Sequence, residues 1–202
     1  MTDLLVATNN PGKLAEFRRL LADLPVRVVG PAEAGVRLEV PEPHHTYAEN
    51  ASEKAQASCR VSGLLTLADD SGIEVAALGW GPGVRSARFG GADLEDRAGY
   101  LLGRIDGASD RRARMVCWLA LAIPASPEPG IELFSGVMEG AVADGPRGDR
   151  GFGYDPIFEL PSGRTTAELP EGEKDRLSHR GRAVAAAVPR IAELVSRNRA
   201  PS

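Results

Sequence analysis

The sequence predicts an α/β protein, a mixed β-sheet covered by helices. Three observations carry this reading. Short apolar runs alternate with segments whose apolar residues recur at helical spacing. Residues that start and stop helices bracket those periodic segments. Two long β-type runs, "ARMVCWLALAI" and "IELFSGVMEGAVA", are joined by a Pro-rich turn, which reads as a hairpin. With 202 residues the chain forms one domain, or one domain with two lobes.

The elements follow in order. "LLVAT" (4–8) is a short apolar strand. Asn10 followed by Pro11 is a helix entry, and Leu14, Phe17, Leu21 and Leu24 give the next helix (9–24) one apolar face. "VRVVG" (26–30) is a second strand and the Pro-rich "VPEPHH" (40–45) a loop. Thr46 with Glu49 three residues on forms a capping box, opening a helix that runs to the stop residue Gly63. "LLTLAD" (64–69) is a strand expected to end in the acidic turn "ADDSG". Residues 79–91 are turn-rich. "DLEDRAGYLLGRI" (93–105) reads as a helix with an acidic first turn. After the hairpin, a Gly-rich loop (145–158) feeds a short strand. The final helix (178–195) is capped by Ser178, with Pro189 expected to kink or break it. The sequence has no internal repeat and no low-complexity tract.

Composition excludes several function classes. A hydrophobic fraction of 43% suits a sizeable core, and aromatics at 5% make that core aliphatic. A net charge of −4 supplies no basic field for a long nucleic acid, though a small phosphorylated ligand needs only a few local cations. Cys59 and Cys117 lack metal-type spacing and read as reduced, buried thiols. "MTDLLVAT" carries an acid, its apolar run is short for a signal peptide, and no segment reaches membrane-span length. The expectation is a soluble, cytoplasmic protein with no membrane partner.

Five stretches could carry chemistry. "TNNPGK" (8–13) links a strand to a helix start, where free backbone N–H groups, Thr8, Asn10 and Lys13 favour an anion. It is neither a Walker A loop nor G-x-G-x-x-G, and a capped turn with a solvated lysine explains it equally well. In "ADDSG" adjacent side chains on extended backbone point opposite ways, so Asp69 and Asp70 have different tasks. One could hold a divalent cation, and oxygen donors without His or Cys suit Mg2+. An Asx turn explains one aspartate well and two poorly.

Glu42, in a Pro-stiffened loop without structural duty, is a candidate second metal carboxylate. Glu49 is spent on the cap, and His44 and His45 read as surface residues. In "GFGYDP" the glycines flanking Phe152 and Tyr154 let a flat ligand approach, and Asp155 could accept ring N–H groups. Together they suit a purine, with a core-plugging turn as the competing account. Lys174, His179 and Arg180 gather positive charge near a helix start, which calls for an anion or a carbonyl oxygen there.

"TNNPGK", "TYAENA", "ADDSG", "PGVRSAR", "GFGYDPIF" and "SHRGRA", in this order and at these separations, resemble the XTP/dITP diphosphatases, the inosine triphosphate pyrophosphatases. The likeness runs from about Leu4 to the last helix. It implies a long central mixed sheet flanked by helices, with two lobes and a cleft between them. It implies Mg2+-dependent cleavage of ITP, dITP and XTP to monophosphate and pyrophosphate, by a homodimer. Carried over by motif, Thr8, Asn9, Asn10, Pro11, Gly12 and Lys13 bind the phosphates and sugar side. Asp70 is the catalytic carboxylate and a metal ligand, Glu42 the other ligand, and Ser71 lies beside the substrate. Phe152, Gly153, Tyr154 and Asp155 hold the base, Lys174 reaches the nucleotide, and His179 and Arg180 face the base's oxo group. Two positions depart from the pattern. Asn9 stands where many members have Gly. Arg85 stands where an aromatic is common, which bears on packing near Ser86 and on a dimer contact.

Overall fold

The computed structural model describes residues 1–37, 40–91, 96–125 and 127–197. Its strands are β1 (Thr2–Val6), β2 (Val26–Val29), β3 (Leu65–Val75), β4 (Gly81–Pro82), β5 (Arg112–Ile123), β6 (Gly130–Val142) and β7 (Phe158–Glu159). They hydrogen-bond in the order β2-β1-β3-β5-β6-β7, with β4 on β3. β1 is parallel to both β2 and β3, whereas the β3–β4 and β6–β7 pairs are antiparallel. The sheet is therefore mixed, as expected. The helices are α1 (Pro11–Leu20), α2 (Tyr47–Ser62), α3 (Arg97–Arg104), α4 (Glu171–Leu177) and α5 (His179–Arg197).

The chain divides into two compact units. The first holds Met1–Asp70, Cys117–Gly136 and the residues from Arg180 on; the second holds Ser71–Val116 and Val137–His179. Strands β3, β5 and β6 each contribute to both.

In the first unit, strand alternation sorts side chains onto two faces. Leu4, Val6, Leu67, Cys117, Leu119 and Leu121 belong to a cluster with Phe17 of α1, Leu21 just beyond that helix, and the Ala183, Val184, Ala187 and Ile191 stripe of α5. Fully burying one such Leu or Phe contributes about 1.5–3 kcal/mol. The alternate residues Ala7, Ala68, Ala120 and Ala122 meet Ala51, Ala55 and Cys59 of α2. Mostly methyl-sized groups separate that helix from the strands, so α2 lies close to the sheet. The core of the second unit is bulkier. Ile73, Val75, Leu101, Met115, Met138, Ile157 and Phe158 pack there.

Several boundaries differ from the sequence reading. The run 64–69 does not end at the acidic pair: β3 continues through Asp69, Asp70, Ser71 and Gly72 to Val75. Residues 93–95 of the helix expected over 93–105 lie outside the described residues. α3 starts after Asp96, whose carboxylate accepts the Gly99 N–H at 2.7 Å. α1 stops at Leu20, short of 24. Thr46 caps α2 by accepting the Glu49 N–H, but the Glu49 carboxylate accepts from the Thr46 hydroxyl, at 2.7 Å. Gly63 ends α2 in the left-handed region, φ 69°, where a missing Cβ removes the strain. α5 runs through Pro189 as one helix of 19 residues. Cys59 and Cys117 are free and buried, as expected, and burial pushes the Cys117 thiol up to about 12.

Candidate active site

In the first unit the odd residues of β3 face α1 and α5, so Asp69 continues the side of Leu65 and Leu67. Its carboxylate, 1% exposed, lies 3.0 Å from the Lys13 ammonium of α1. The Arg180 guanidinium of α5 reaches the same Oδ2 at 3.1 and 3.3 Å. Arg180 is in turn paired with Glu16 of α1. Burial alone pushes the Asp69 carboxyl up, but Lys13, Arg180 and Lys54 outweigh it and hold the group well below the usual carboxylate range. Asp69 is thus neutralised by fixed cations.

On the opposite side Ala68 faces α2, and Asp70 continues that side. Asn50 donates from Nδ2 to the Asp70 Oδ2 at 2.9 Å. At 6% exposure, desolvation raises the Asp70 carboxyl to about 6; the Asn50 hydrogen bond opposes the rise, the Glu42 charge adds to it, and Lys54 and Lys13 oppose it. Glu42 approaches the Lys54 ammonium at 2.5 Å. Burial alone lowers the Lys54 pKa, yet Asp69, Glu42 and Asp70 together raise it above the ordinary lysine value.

Four carboxylates (Glu16, Glu42, Asp69, Asp70) thus meet three cations (Lys13, Lys54, Arg180) in this unit. A divalent cation would turn the cluster's excess of one negative charge into one positive, the sign a triphosphate needs. Among the described residues, no group of three or more His, Cys, Asp and Glu side chains is placed to hold a metal by itself. Glu42 and Asp70, coupled through space, are a pair of hard oxygen donors of the kind Mg2+ takes when water and substrate fill its remaining positions. In donor chemistry, the residues fit the ion.

The turn from Thr8 to Lys13 takes the capped form, with Lys13 paired to Asp69 instead of solvated. Asn10 caps α1, its Oδ1 accepting Gly12 N–H at 2.9 Å and Lys13 N–H at 3.1 Å, while the Thr8 hydroxyl accepts Asn10 N–H at 3.2 Å. The backbone donors reserved for an anion are occupied by the turn's own side chains, a consequence of Asn's strength as a cap. What the turn offers a ligand is its side chains, beside a groove of about 270 Å³ that Thr8, Asn9, Asn10 and Pro11 line with Arg18 and Glu33.

A second cluster lies in the second unit. Lys174, on α4, places its ammonium 2.6 Å from the Asp155 Oδ2 and 5.2 Å from the Phe152 ring centroid. The Asp155 carboxylate also accepts Phe152 N–H at 2.8 Å and the Thr166 hydroxyl at 2.8 Å. It is 4% exposed and holds the loop, rather than standing ready for ring N–H groups as expected. Gly151 is required there: its φ is 78°, and a Cβ would lie 2.1 Å from that Oδ2. Tyr154 packs in the core and donates to the Ser86 carbonyl at 2.8 Å, which replaces the expected stacking role; burial pushes its hydroxyl up to about 12. The Ser86 hydroxyl accepts Ile73 N–H at 2.9 Å and donates to the Gly83 carbonyl at 2.6 Å. Arg85 is exposed and leaves that packing intact.

Lys174 belongs to its own short helix, which ends at Leu177 before an extended Ser178. His179, 8% exposed, opens α5. Arg180 is 4% exposed and paired with Glu16 and Asp69. Ser71 is half-buried on β3, and Gly153 takes φ 64°.

The structure therefore gathers Lys13, Glu42, Asp69, Asp70 and Arg180 in one unit and Phe152, Asp155 and Lys174 in the other. Sequence reasoning missed Glu16, Asn50 and Lys54. A usable signal existed for the last two. They stand four apart on α2, next to the Ala51, Ala55 and Cys59 stripe that marks its buried side.

Residues 4–190 match the model of the Ham1 family. The chain is 47% identical over 184 residues to a dITP/XTP pyrophosphatase of Syntrophobacter fumaroxidans, covering 90% of this chain and 78% of that one. It is 47% identical over 195 residues to a dITP/XTP pyrophosphatase of Chromobacterium violaceum, covering 95% and 98%. Among solved structures it is similar to a HAM1 protein from Coxiella burnetii, with a TM-score of 0.85 at 40% identity, over 96% of this chain and 100% of that one. A Staphylococcus aureus Ham1 protein gives 0.78 at 33% identity, over 98% and 100%.

Proposed function

The chain belongs to the Ham1 family, and from that premise we propose that it hydrolyses the non-standard purine nucleotides ITP, dITP and XTP to monophosphate and pyrophosphate. The observation that carries the chemistry is the placement of Asp70, a buried carboxylate that accepts from Asn50 in the same cluster as the Glu42–Lys54 pair. A carboxylate so placed can take a proton from water.

Glu42 and Asp70 would hold Mg2+, which when bound supplies positive charge to the phosphate oxygens. The rest falls to the chain's own side chains. A water oxygen bonds to the α-phosphorus while the bond from phosphorus to the α,β-bridging oxygen breaks. Pyrophosphate leaves with that electron pair, and the water proton passes to the Asp70 carboxylate. Lys13 and Lys54 offset the charge that develops on the leaving group, a task of positioning and neutralisation. Arg180 and Glu16 fix Asp69, and Asp69 in turn holds the Lys13 ammonium.

In the second unit, the Phe152 ring offers a stacking face and the neighbouring Lys174 ammonium a donor. An oxygen at purine C6 accepts from that donor, whereas the adenine amino group opposes donor with donor. Leaving such a group unsatisfied costs about 1–3 kcal/mol per contact. The proposal includes a homodimer acting in the cytoplasm; among the described residues, no helix is long and apolar enough to cross a membrane.

Pyrophosphate release from ITP, XTP, dITP, GTP and ATP, with and without Mg2+, tests this reading. Release from ITP, dITP and XTP well above ATP, and only with metal, is expected. Equal turnover of ITP and ATP, or full turnover in chelator, would overturn it.

A further inference from the structure

One side chain ties together the two segments that carry the proposed metal ligands. The Asn50 Oδ1 accepts the His44 N–H at 3.0 Å, and its Nδ2 donates to the Asp70 Oδ2 at 2.9 Å, with the His44 carbonyl a longer acceptor at 3.4 Å. His44 lies two residues beyond Glu42 in the same Pro-stiffened loop. Asn50 is 1% exposed, so no bulk water competes for these bonds. One turn further along α2, Lys54 holds Glu42 itself. Residues four apart share a helix face, and this helix is seated on the sheet through Ala51 and Ala55.

We infer that Asn50 is a positioning residue for divalent-cation binding: its amide sets the relation between the Glu42 loop and the Asp70 carboxylate. The inference rests on the proposed function and deepens it. The residue type follows from the two partners. The His44 N–H needs an acceptor and the Asp70 carboxylate needs a donor, and an amide of this length supplies both. Aspartate here would repel Asp70, and an apolar side chain would leave both partners unmatched in a buried place. Groups that orient metal-binding carboxylates typically change metal affinity by about 10–100-fold when removed.

The test titrates Mn2+ alone into the nucleotide-free full chain by calorimetry, for the wild type, Asn50→Ala and His44→Pro. The second variant deletes the N–H that Asn50 accepts and keeps the Asn50 side chain; because it also removes the His44–Glu53 pair, His44→Ala, which loses that pair but keeps the N–H, is titrated as its control and should bind Mn2+ like the wild type. The Mn2+ dissociation constant is expected to rise about tenfold in Asn50→Ala and by a smaller factor in His44→Pro. The Mg2+ concentration for half-maximal pyrophosphate release from ITP should rise in step, so that the deficit in turnover shrinks as Mg2+ is raised.

A purely structural role predicts something else: a lower melting temperature with an unaltered Mn2+ constant. That outcome overturns the inference. If Asn50→Ala does not fold, His44→Pro decides, and wild-type Mn2+ affinity in it is equally fatal. A wild-type chain that binds no Mn2+ and releases no pyrophosphate has a separate signature and brings down the proposed function itself.

Discussion

Asp69 and Asp70 differ by one position on β3 and are both buried, yet the two faces of the strand treat them in opposite ways. On one face Asp69 meets Lys13 and Arg180 and stays ionised far into acid. On the other, burial holds the Asp70 carboxyl up at about 6 with the Glu42 charge adding to it, against the Asn50 amide and the charges of Lys54 and Lys13. The difference separates two uses of a buried charge. Asp69 is matched within the fold and stabilises it. Asp70 is held where neutralisation would favour the fold, the condition of a group reserved for a proton or a cation.

Asp70→Asn breaks the contrast most severely. Pyrophosphate release from ITP should fall by about 10³-fold or more. The same variant should resist urea better than the wild type at pH 8, by up to about 2–3 kcal/mol. The sign follows from the direction of the shift. The folded pKa lies above the unfolded value of 3.8, so the folded wild type binds the extra proton. Its stability relative to the variant therefore declines as pH rises from about 4 to about 6 and stays lower above that. Urea curves that coincide at pH 8 would dissolve the distinction between the two faces.

Asp69→Asn tests the opposite face and should act in the opposite direction. Removing one partner leaves Lys13 and Arg180 with a surplus of buried charge, a loss of about 3–5 kcal/mol in urea unfolding at pH 7. A depressed carboxyl pKa makes this contribution present above the unfolded value and lost as pH falls through the folded one. A loss below about 1 kcal/mol would mean that Asp69 is no anchor.

Tyr154→Phe sharpens the comparison from the other unit, at a buried hydrogen bond between two uncharged groups. It removes one buried hydrogen bond to the Ser86 carbonyl and should cost about 1–2 kcal/mol in the same assay. Unlike Asp70→Asn, its effect should not grow with pH between 4 and 8.

Much of the fold was legible because it depends on local signals. Asn10 with Pro11, Thr46 and Gly63 mark helix ends by chemistry that acts within a few residues. The opposed directions of Asp69 and Asp70 also followed from strand geometry alone. The end of β3 did not. Asp-Asp-Ser-Gly has turn chemistry, and what keeps it extended includes a cation 111 residues away, Arg180. The same distance effect hid the commitment of Arg180, whose place at a helix start suggested a ligand where the fold supplies Asp69 and Glu16. Asn10 misled in a different manner: the side chain that signals the helix also consumes the N–H groups that an anion would use. Asn50 and Lys54 were overlooked because their duties appear only once α2 is laid against the strands.

The alanine layer under α2 carries a consequence for how this sequence can vary. Methyl groups act as shims that set the standoff of Asn50 and Lys54 from the carboxylates. A larger residue at Ala51, Ala55, Ala68 or Ala120 would conserve every charge and still move the helix outward. Tolerance to substitution in that apolar seam is thus dictated by chemistry above it as much as by the demands of folding.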